Sequence, residues 1–111
     1  MVTPLRKPYA DRSTDSFEAV ADSTRRRIIE LLWAGDELTA GTIALAFPRI
    51  SRPAVSKHLR VLRAAGVVRA RSDGRRRLYS LDARGIADLD SWLERYRATW
   101  QRRFTVLPGA A

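Results

Sequence analysis

The sequence has 111 residues and a hydrophobic fraction of 45%, which predict one globular domain and exclude a disordered chain. It contains no cysteine, which excludes disulfides, thiol catalysis and cysteine metal sites. It also contains no apolar run of the roughly 18 residues that a membrane span needs. The formal net charge of +9 favours a polyanionic partner, and the N-terminus lacks an apolar signal core, so we expect a cytoplasmic protein.

The N-terminal part of the chain is expected to form an arm and two helices. Residues 1–14, with two prolines and scattered charges, are expected to be flexible or loosely docked. The segment SFEAVAD then predicts a short helix with Phe17 and Val20 on its apolar face. Ser23 or Thr24 is expected to cap the next helix, TRRRIIELLWA, whose apolar residues form a broad stripe toward the core.

Two further helices follow in quick succession. Thr39 is expected to cap the first, TAGTIALAF, which Pro48 ends. Ser51 is expected to cap the second, with Pro53 in its first turn, where the missing N–H is tolerated, and Gly66 closes it. The connection between these helices is too short for anything but packing them at an angle. This spacing is typical of a helix-turn-helix.

The second of these helices, within ISRPAVSKHLRVLRAAGVV, has one apolar face and one basic face. Val55, Leu59 and Leu62 share the apolar stripe by their spacing, so this side is expected to dock on the core. The other side is expected to enter the DNA major groove, where arginine and serine can bond to base edges. Arg60 and Arg63, further along the helix, are expected to meet phosphates. Base contacts are expected from Arg52, Pro53, Ser56 and Lys57, with Ser51 and, on the preceding helix, Thr39 as further DNA contacts.

The pattern then changes to the two-residue period of β-strands. VVRARS and RRLYSLD alternate apolar and polar residues across a turn that contains Asp-Gly, which predicts a β-hairpin. Its tip carries Arg75, Arg76 and Arg77, so as a wing it would lie along the DNA backbone or enter the minor groove. Residues 51–77 contain nine basic residues and one acid, Asp73, and this imbalance favours a polyanionic binding partner. The alternative is an ordinary hairpin with a solvated tip.

The C-terminal residues 83–105 predict one long helix, followed by a short tail, residues 106–111. Apolar residues recur along the helix at steps of three and four, a spacing that matches the seam of two packed helices. A small core cannot cover such a helix, so we expect the stripe to form the interface of a homodimer together with part of the first helix. The expected interface residues are Phe17, Val20, Ile86, Leu89, Leu93, Tyr96, Trp100 and Phe104. A flat aromatic ligand pocket between the dimer helices, with Trp92 in its wall, is the alternative.

The order of elements, α-α-α-α-β-β-α, predicts a winged helix-turn-helix, a mainly α fold with a small β-hairpin (α+β). We expect its DNA-binding core to span residues 15–82. The segments DSTRRRIIELL, LTAGTIALAF, ISRPAVSKHLRVLRAAGVV and GRRRLYSLD resemble the ArsR/SmtB family of bacterial and archaeal winged-helix repressors. The resemblance covers about Phe17 to Asp82, and it implies a homodimer that binds operator DNA and releases it when an effector binds.

The chain departs from the metal sensors of that family. Those sensors commonly carry a cysteine pair at the start of the third helix, where this sequence has ELTAGTIAL. Another family site uses Asp and His on the last helix, which here has no histidine. Asp88, Asp90 and Glu94 could hold a hard cation weakly, but a solvated acidic surface is the favoured interpretation. Neither a metal nor a cofactor is therefore expected.

The functional hypotheses follow from the basic helix and wing. The only histidine, His58, lies on the apolar stripe and is interpreted as a hydrogen-bonded structural residue, and no catalytic set can be assembled around it, so no enzyme is expected. The leading hypothesis is a sequence-specific, dimeric transcriptional regulator of double-stranded DNA, a repressor on an inverted-repeat operator. The alternatives are a non-specific nucleic-acid-binding protein, a protein-interaction adaptor, and a regulator that responds to an organic ligand or a partner protein.

Overall fold

The computed structural model describes residues 12–104, with side chains from Ser16 onward. Over these residues the predicted α+β fold is confirmed, and the predicted elements occur in the predicted order with one additional short strand between the second and third helices. The helices are α1 (Arg12–Ala19), α2 (Ser23–Gly35), α3 (Ala40–Leu45), α4 (Arg52–Ala64) and α5 (Ala83–Arg103), and the strands are β1 (Leu38–Thr39), β2 (Val68–Asp73) and β3 (Arg76–Leu81).

The first helix begins earlier than the sequence pattern indicated. It starts at Arg12 instead of Ser16, because no proline or glycine interrupts the four residues before Ser16. The hydroxyl of Ser16, which is fully buried, donates to the carbonyl of Ala65 at 3.1 Å and anchors α1 to the end of α4. The rest of the predicted arm, residues 1–11, and the predicted tail, residues 106–111, lie outside the described residues.

The sheet has three strands in the order β1-β3-β2, all antiparallel. The hairpin of β2 and β3 was predicted, and its two-residue turn places Gly74 at the first central position with φ of 65°. β1 was not predicted. It pairs Leu38 with Tyr79 and Thr39 with Leu78, and two residues are too few for an alternating pattern to show.

The hydrophobic core lies between α2, α3, α4 and the inner face of the sheet. The apolar stripes expected on α2 and α4 are confirmed, since their central residues are almost completely removed from water. Burying each such side chain contributes about 1.5–3 kcal/mol, so this cluster carries most of the stability of the domain. Its most buried members are Ile28, Leu32, Ile43, Val55, Leu59, Leu62 and Val67.

The helix caps follow the sequence signals with one exception. Thr39 and Ser51 cap α3 and α4 as predicted, by accepting hydrogen bonds from the amides of Thr42 and Ala54. The prediction of Ser23 or Thr24 as the cap of α2 is wrong, because Asp22 takes this position and its Oδ2 accepts from the amide of Arg25 at 3.0 Å. That hydrogen bond from the Arg25 amide holds the pKa of Asp22 below its usual value.

The end of α4 and the start of α5 are joined by backbone contacts. Gly66, with φ of 79°, closes α4 while the amide of Val67 donates to the carbonyl of Leu62, which is a Schellman ending. The amide of Asp82 then donates to the carbonyl of Val67 at 2.8 Å. Gly85, in the first turn of α5, lies against this corner so closely that a β-carbon there would be 2.0 Å from the Gly66 oxygen. Nothing in the sequence pattern pointed to this contact.

Candidate nucleic-acid interface

The exposed side of α4 carries the residues that were expected to contact DNA. Because Val55, Leu59 and Leu62 point into the core, the opposite side of the helix is left open to solvent. No carboxylate lies within ion-pair distance of its basic side chains in the described part of the chain. The exposed residues are Ser51, Arg52, Pro53, Ser56, Lys57, Arg60 and Arg63.

The side chain of Arg52, in α4, lies beside α3, the other helix of the helix-turn-helix. A β-carbon built at Gly41, in the first turn of α3, would lie 3.6 Å from Nη2 of Arg52, so the guanidinium lies beside the start of that helix. A side chain longer than alanine at position 41 would therefore push against Arg52. The sequence did not indicate that Gly41 is a neighbour of Arg52, because only the turn between the helices brings the two residues close.

Thr39 is the least available of the expected DNA contacts. It is half-buried, its Oγ1 accepts from the amide of Thr42 at 3.1 Å, and it donates to Oγ1 of Thr42 at 3.0 Å. Its hydroxyl is therefore engaged in capping α3, while Thr42 is exposed beside it.

Two of the nine basic residues counted in the sequence are neutralised within the fold. Arg71 makes a bidentate pair with Glu37, at 2.7 and 2.9 Å, which holds β2 to the segment before β1. This bond from Arg71 lowers the pKa of the Glu37 carboxyl. At the tip of the wing Arg76 bonds to Asp73 at 2.8 Å. Within residues 12–104 the tip of the wing therefore presents Arg75 and Arg77 as its unpaired cations, one fewer than the sequence suggested.

His58 has structural partners that fit its interpretation as a core histidine. Its Nδ1 lies 3.3 Å from Nη1 of Arg25 and 3.9 Å from Oδ2 of Asp22. Nε of Arg25 also donates to the carbonyl of Ala19 at 2.6 Å. This network ties the inner side of α4 to the start of α2 and the end of α1. It positions the exposed side of α4 relative to the rest of the domain.

The apolar stripe of α5 divides into a covered part and an open part. Ile86 and Leu89, which were expected at a dimer interface, pack against the core of their own chain. Trp92 stacks on Phe17 of α1 with ring centroids 4.1 Å apart, and it contacts Tyr96 at 4.5 Å. From Leu93 onward the stripe is exposed. Leu93, Tyr96, Trp100 and Phe104 are 50%, 59%, 39% and 45% exposed. We call these four residues the open stripe.

Neither a metal cluster nor a membrane-spanning helix is found over the described residues. No group of three His, Cys, Asp or Glu residues in residues 12–104 could hold a metal ion. Glu94 instead pairs with Arg97 at 3.3 Å. No helix in this part of the chain is long and apolar enough to cross a membrane.

Comparisons with known proteins find transcriptional regulators. A family profile described as a helix-turn-helix domain matches residues 20–71. The HTH-type transcriptional regulator Rv2034 of Mycobacterium tuberculosis is 46% identical over 95 residues, which are 85% of this chain and 84% of that protein. The transcriptional repressor SdpR of Bacillus subtilis is 42% identical over 77 residues, 69% of this chain and 83% of that protein.

Solved structures of similar fold carry related descriptions. A crystal structure of a "Possible transcriptional regulator for arsenical resistance" is 42% identical, with a TM-score of 0.71, over 87% of this chain and 96% of that one. The homodimeric winged helix-turn-helix DNA-binding domain of Mb0332 from Mycobacterium bovis, described as a possible ArsR-family regulator, is 25% identical. Its TM-score is 0.65, over 87% of this chain and 88% of that one.

Proposed function

The chain belongs to the ArsR family of winged helix-turn-helix transcriptional regulators, and from this membership we propose that it represses transcription as a homodimer bound to an inverted-repeat operator. The observation that carries the proposal is the set of cations on α4 and on the tip of the wing that no described carboxylate pairs. A row of such cations matches the phosphate backbone, whose condensed counterions it would release. These cations are Arg52, Lys57, Arg60, Arg63, Arg75 and Arg77.

The homodimer in this proposal rests on the open stripe of α5. A relative of the same fold is described as homodimeric, and SdpR is described as a repressor. Four large apolar side chains in a row are more than a monomer usually leaves exposed. Two-fold symmetry would set two copies of α4 about 34–36 Å apart, one turn of DNA, and this spacing suits an inverted repeat.

Within α4 we assign base recognition to the first turns and phosphate contacts to the later ones. Arg52 and Ser56 lie near the N-terminal end of the exposed side, where a helix inserted in the major groove reaches base edges. Arg60 and Arg63 lie one and two turns further along, where the groove wall is lined by phosphates. Phosphate contacts position the protein without distinguishing one sequence from another.

This assignment predicts that Arg52→Ala and Ser56→Ala lower the discrimination between operator and random DNA. We expect a loss of about 1–3 kcal/mol in discrimination where a bidentate base contact disappears. Arg63→Ala is the matched control and should weaken both DNAs by the same factor. Competition binding with the promoter region upstream of the regulated gene measures both quantities. An equal loss on both DNAs for Arg52→Ala would assign that residue to the phosphates.

The same competition assay tests the function itself. A regulator should prefer its operator by roughly 10³-fold or more over bulk DNA. A preference near unity for every promoter fragment would instead identify a non-specific nucleic-acid-binding protein. A protein-interaction adaptor would bind DNA weakly and with little dependence on salt, because it would release few counterions.

The wing is expected to contribute affinity that does not depend on sequence. Replacing Arg75 and Arg77 by glutamine should reduce the slope of log K against log salt by about 0.9 for each phosphate that the wing no longer neutralises. Arg76→Gln is the internal control, because Arg76 is bonded to Asp73, and it should change the slope less. Filter binding or fluorescence anisotropy over a salt series gives the slopes. An unchanged slope in the double variant would mean that the wing does not touch DNA.

We further propose that the protein acts in the cytoplasm, has no enzymatic role, and does not respond directly to a thiophilic metal. Without thiolate or paired imidazole ligands, operator affinity should not change with zinc, copper, arsenite or a chelator. Calorimetric titration of the dimer with each metal, followed by operator binding, measures this. A stoichiometric metal that shifts operator affinity would contradict it. If no metal changes operator affinity, an organic ligand or a partner protein is the more suitable effector.

A further inference from the structure

The wing separates from the rest of the domain at one row of residues across the sheet. Thr39 of β1, Leu78 of β3 and Arg71 of β2 lie opposite one another in this row. Because β1 ends at Thr39, the hairpin continues beyond the row as two strands, and every side chain from Arg71 to Arg77 is exposed. A two-stranded hairpin is only marginally stable by itself in water. The direction in which the wing projects is therefore set at this row, which we call the base of the wing.

The ion pair of Arg71 with Glu37 lies at the base of the wing and spans the middle strand. Since the strand order is β1-β3-β2, Arg71 reaches across β3 to Glu37, which immediately precedes β1. Its two bonds of 2.7 and 2.9 Å fix the guanidinium in one orientation on the carboxylate. Tyr79 points into the core, so Leu78 lies on the outer face of the sheet together with Arg71. Leu78 is nevertheless only 8% exposed, as expected if the aliphatic part of Arg71 covers it.

Glu37 also begins the short segment that leads into the helix-turn-helix. Leu38 and Thr39 follow it and pair with β3, and Oγ1 of Thr39 accepts a hydrogen bond from the amide of Thr42 to cap α3. Three consecutive residues therefore connect the base of the wing to the first helix of the helix-turn-helix. The orientation of the wing relative to α3 depends on where the Glu37 carboxylate holds Arg71.

We propose that Glu37 is a positioning residue for DNA binding, which fixes the wing so that Arg75 and Arg77 meet phosphates while α4 lies in the major groove. The DNA part of this proposal rests on the proposed function. Arg75 lies three residues beyond Leu78, about 10 Å along a strand, so a tilt of about 20° at the base moves the tip by roughly 3 Å. A displacement of that size separates a guanidinium from a phosphate oxygen to which it was hydrogen-bonded.

Charge alone predicts the opposite effect of replacing Glu37. Glu37→Gln removes a negative charge near the wing and frees Arg71, which by charge would strengthen DNA binding. We expect weaker binding instead, about eightfold at about 0.1 M salt for each phosphate that the displaced wing no longer neutralises, with the slope of log K against log salt lower by about 0.9 for each. Asp73→Asn is the matched control, because it removes the same charge from the tip, where Asp73 bonds to Arg76, and leaves the base intact. It should strengthen binding. Fluorescence anisotropy over a salt series measures both variants.

A variant with the two charges exchanged separates the effect of the pair from the effect of each charge. Glu37→Arg combined with Arg71→Glu keeps the net charge and restores an ion pair across β3, so affinity and slope should return toward the native values. Arg71→Gln alone should weaken binding, as Glu37→Gln does. Both side chains are partly exposed, so circular dichroism should show a folded domain in every variant. Stronger binding by Glu37→Gln, or an exchanged pair that binds no better than the single variants, would overturn the proposal.

The direction of the wing is also measured without DNA. The chain contains no cysteine, so nitroxide labels on Ser72→Cys in the wing and Glu30→Cys on α2 report one distance when labelled chains are diluted with unlabelled ones. We expect a narrow distance distribution with the native pair, a broader or shifted one in Glu37→Gln, and a narrow one again in the exchanged variant. Identical distributions in all three would overturn the positioning role. A distribution that changes as expected in a protein that prefers no operator would reject the proposed function alone.

Discussion

Replacing Gly85 with alanine is expected to destabilise the domain by about 3 kcal/mol, at the upper end of overpacking costs in a protein interior. The added β-carbon would lie 2.0 Å from the Gly66 oxygen, 2.5 Å from its carbonyl carbon and 2.7 Å from Cα of Val67. All three are backbone atoms, and the Schellman ending and the bond from Asp82 to Val67 hold them in place. The clash can be relieved only by moving α5 away from the end of α4.

Gly35→Ala is the matched control for this substitution. A β-carbon at Gly35 would also be close to a neighbour, 3.2 Å from Cδ2 of Leu38, but that atom belongs to a flexible side chain. Both glycines lie in helices, so the gain in helix propensity is similar. Urea unfolding of the two variants measures the difference in the free energy of unfolding. Equal stability of Gly85→Ala and Gly35→Ala would show that α5 can shift without cost.

The contact at Gly85 also bears on DNA binding by the proposed dimer. It fixes the first turn of α5, the helix that carries the open stripe, to the last turn of α4, the helix proposed to enter the major groove. The side-chain bond from Arg84 lowers the pKa of Asp82, and the charged Asp82 caps α5 at the same corner. If the angle between the two copies of α5 in the proposed dimer changed, α4 would therefore move together with α5. In Gly85→Ala, operator affinity should fall even under conditions where the variant remains folded.

The parts of this structure that the sequence predicted are those that depend on local periodicity. The spacing of Val55, Leu59 and Leu62 determined which side of α4 is buried, and so which basic side chains are exposed. The Asp-Gly turn located the hairpin, because a tight turn needs the positive φ that Gly74 adopts. Ser51 and Thr39 were identified as caps because their side chains satisfy amides only three residues away.

The parts that the sequence did not predict depend on residues that are distant in the chain. The pair of Arg71 with Glu37 joins residues 34 positions apart, and nothing near Arg71 in the sequence distinguishes it from the cations left free. The two residues of β1 form a strand only because they pair with the free edge of β3. Ile86 and Leu89 share the spacing of the open stripe, yet the position of α5 on the core covers them. Gly85 looks like an ordinary helical glycine until the approach of Gly66 is known.

Replacing Leu93 and Trp100 of the open stripe with glutamate is expected to abolish dimerisation and operator binding, although neither residue is proposed to touch DNA. Leu93 and Trp100 are 50% and 39% exposed in the single chain, so replacing them with glutamate removes little from the core of that chain. Each substitution would remove about 1.5 kcal/mol or more of the free energy of burying that side chain, in each copy of the proposed dimer. Two copies then lose about 3 kcal/mol, or about 100-fold in the dimer dissociation constant, for each substitution. The new carboxylates would add a desolvation cost.

Three measurements on Leu93→Glu and Trp100→Glu separate loss of the interface from loss of the fold. Circular dichroism should show a folded chain, because the core from Ile28 to Val67 is untouched, and sedimentation should show a monomer. Operator affinity should collapse, since one copy of α4 reaches only half of an inverted repeat. Trp33→Glu is the control: Trp33 is 68% exposed on α2, outside the open stripe, and its replacement should leave the dimer intact. A double variant of Leu93 and Trp100 that stays dimeric and binds its operator normally would show that the two copies meet elsewhere.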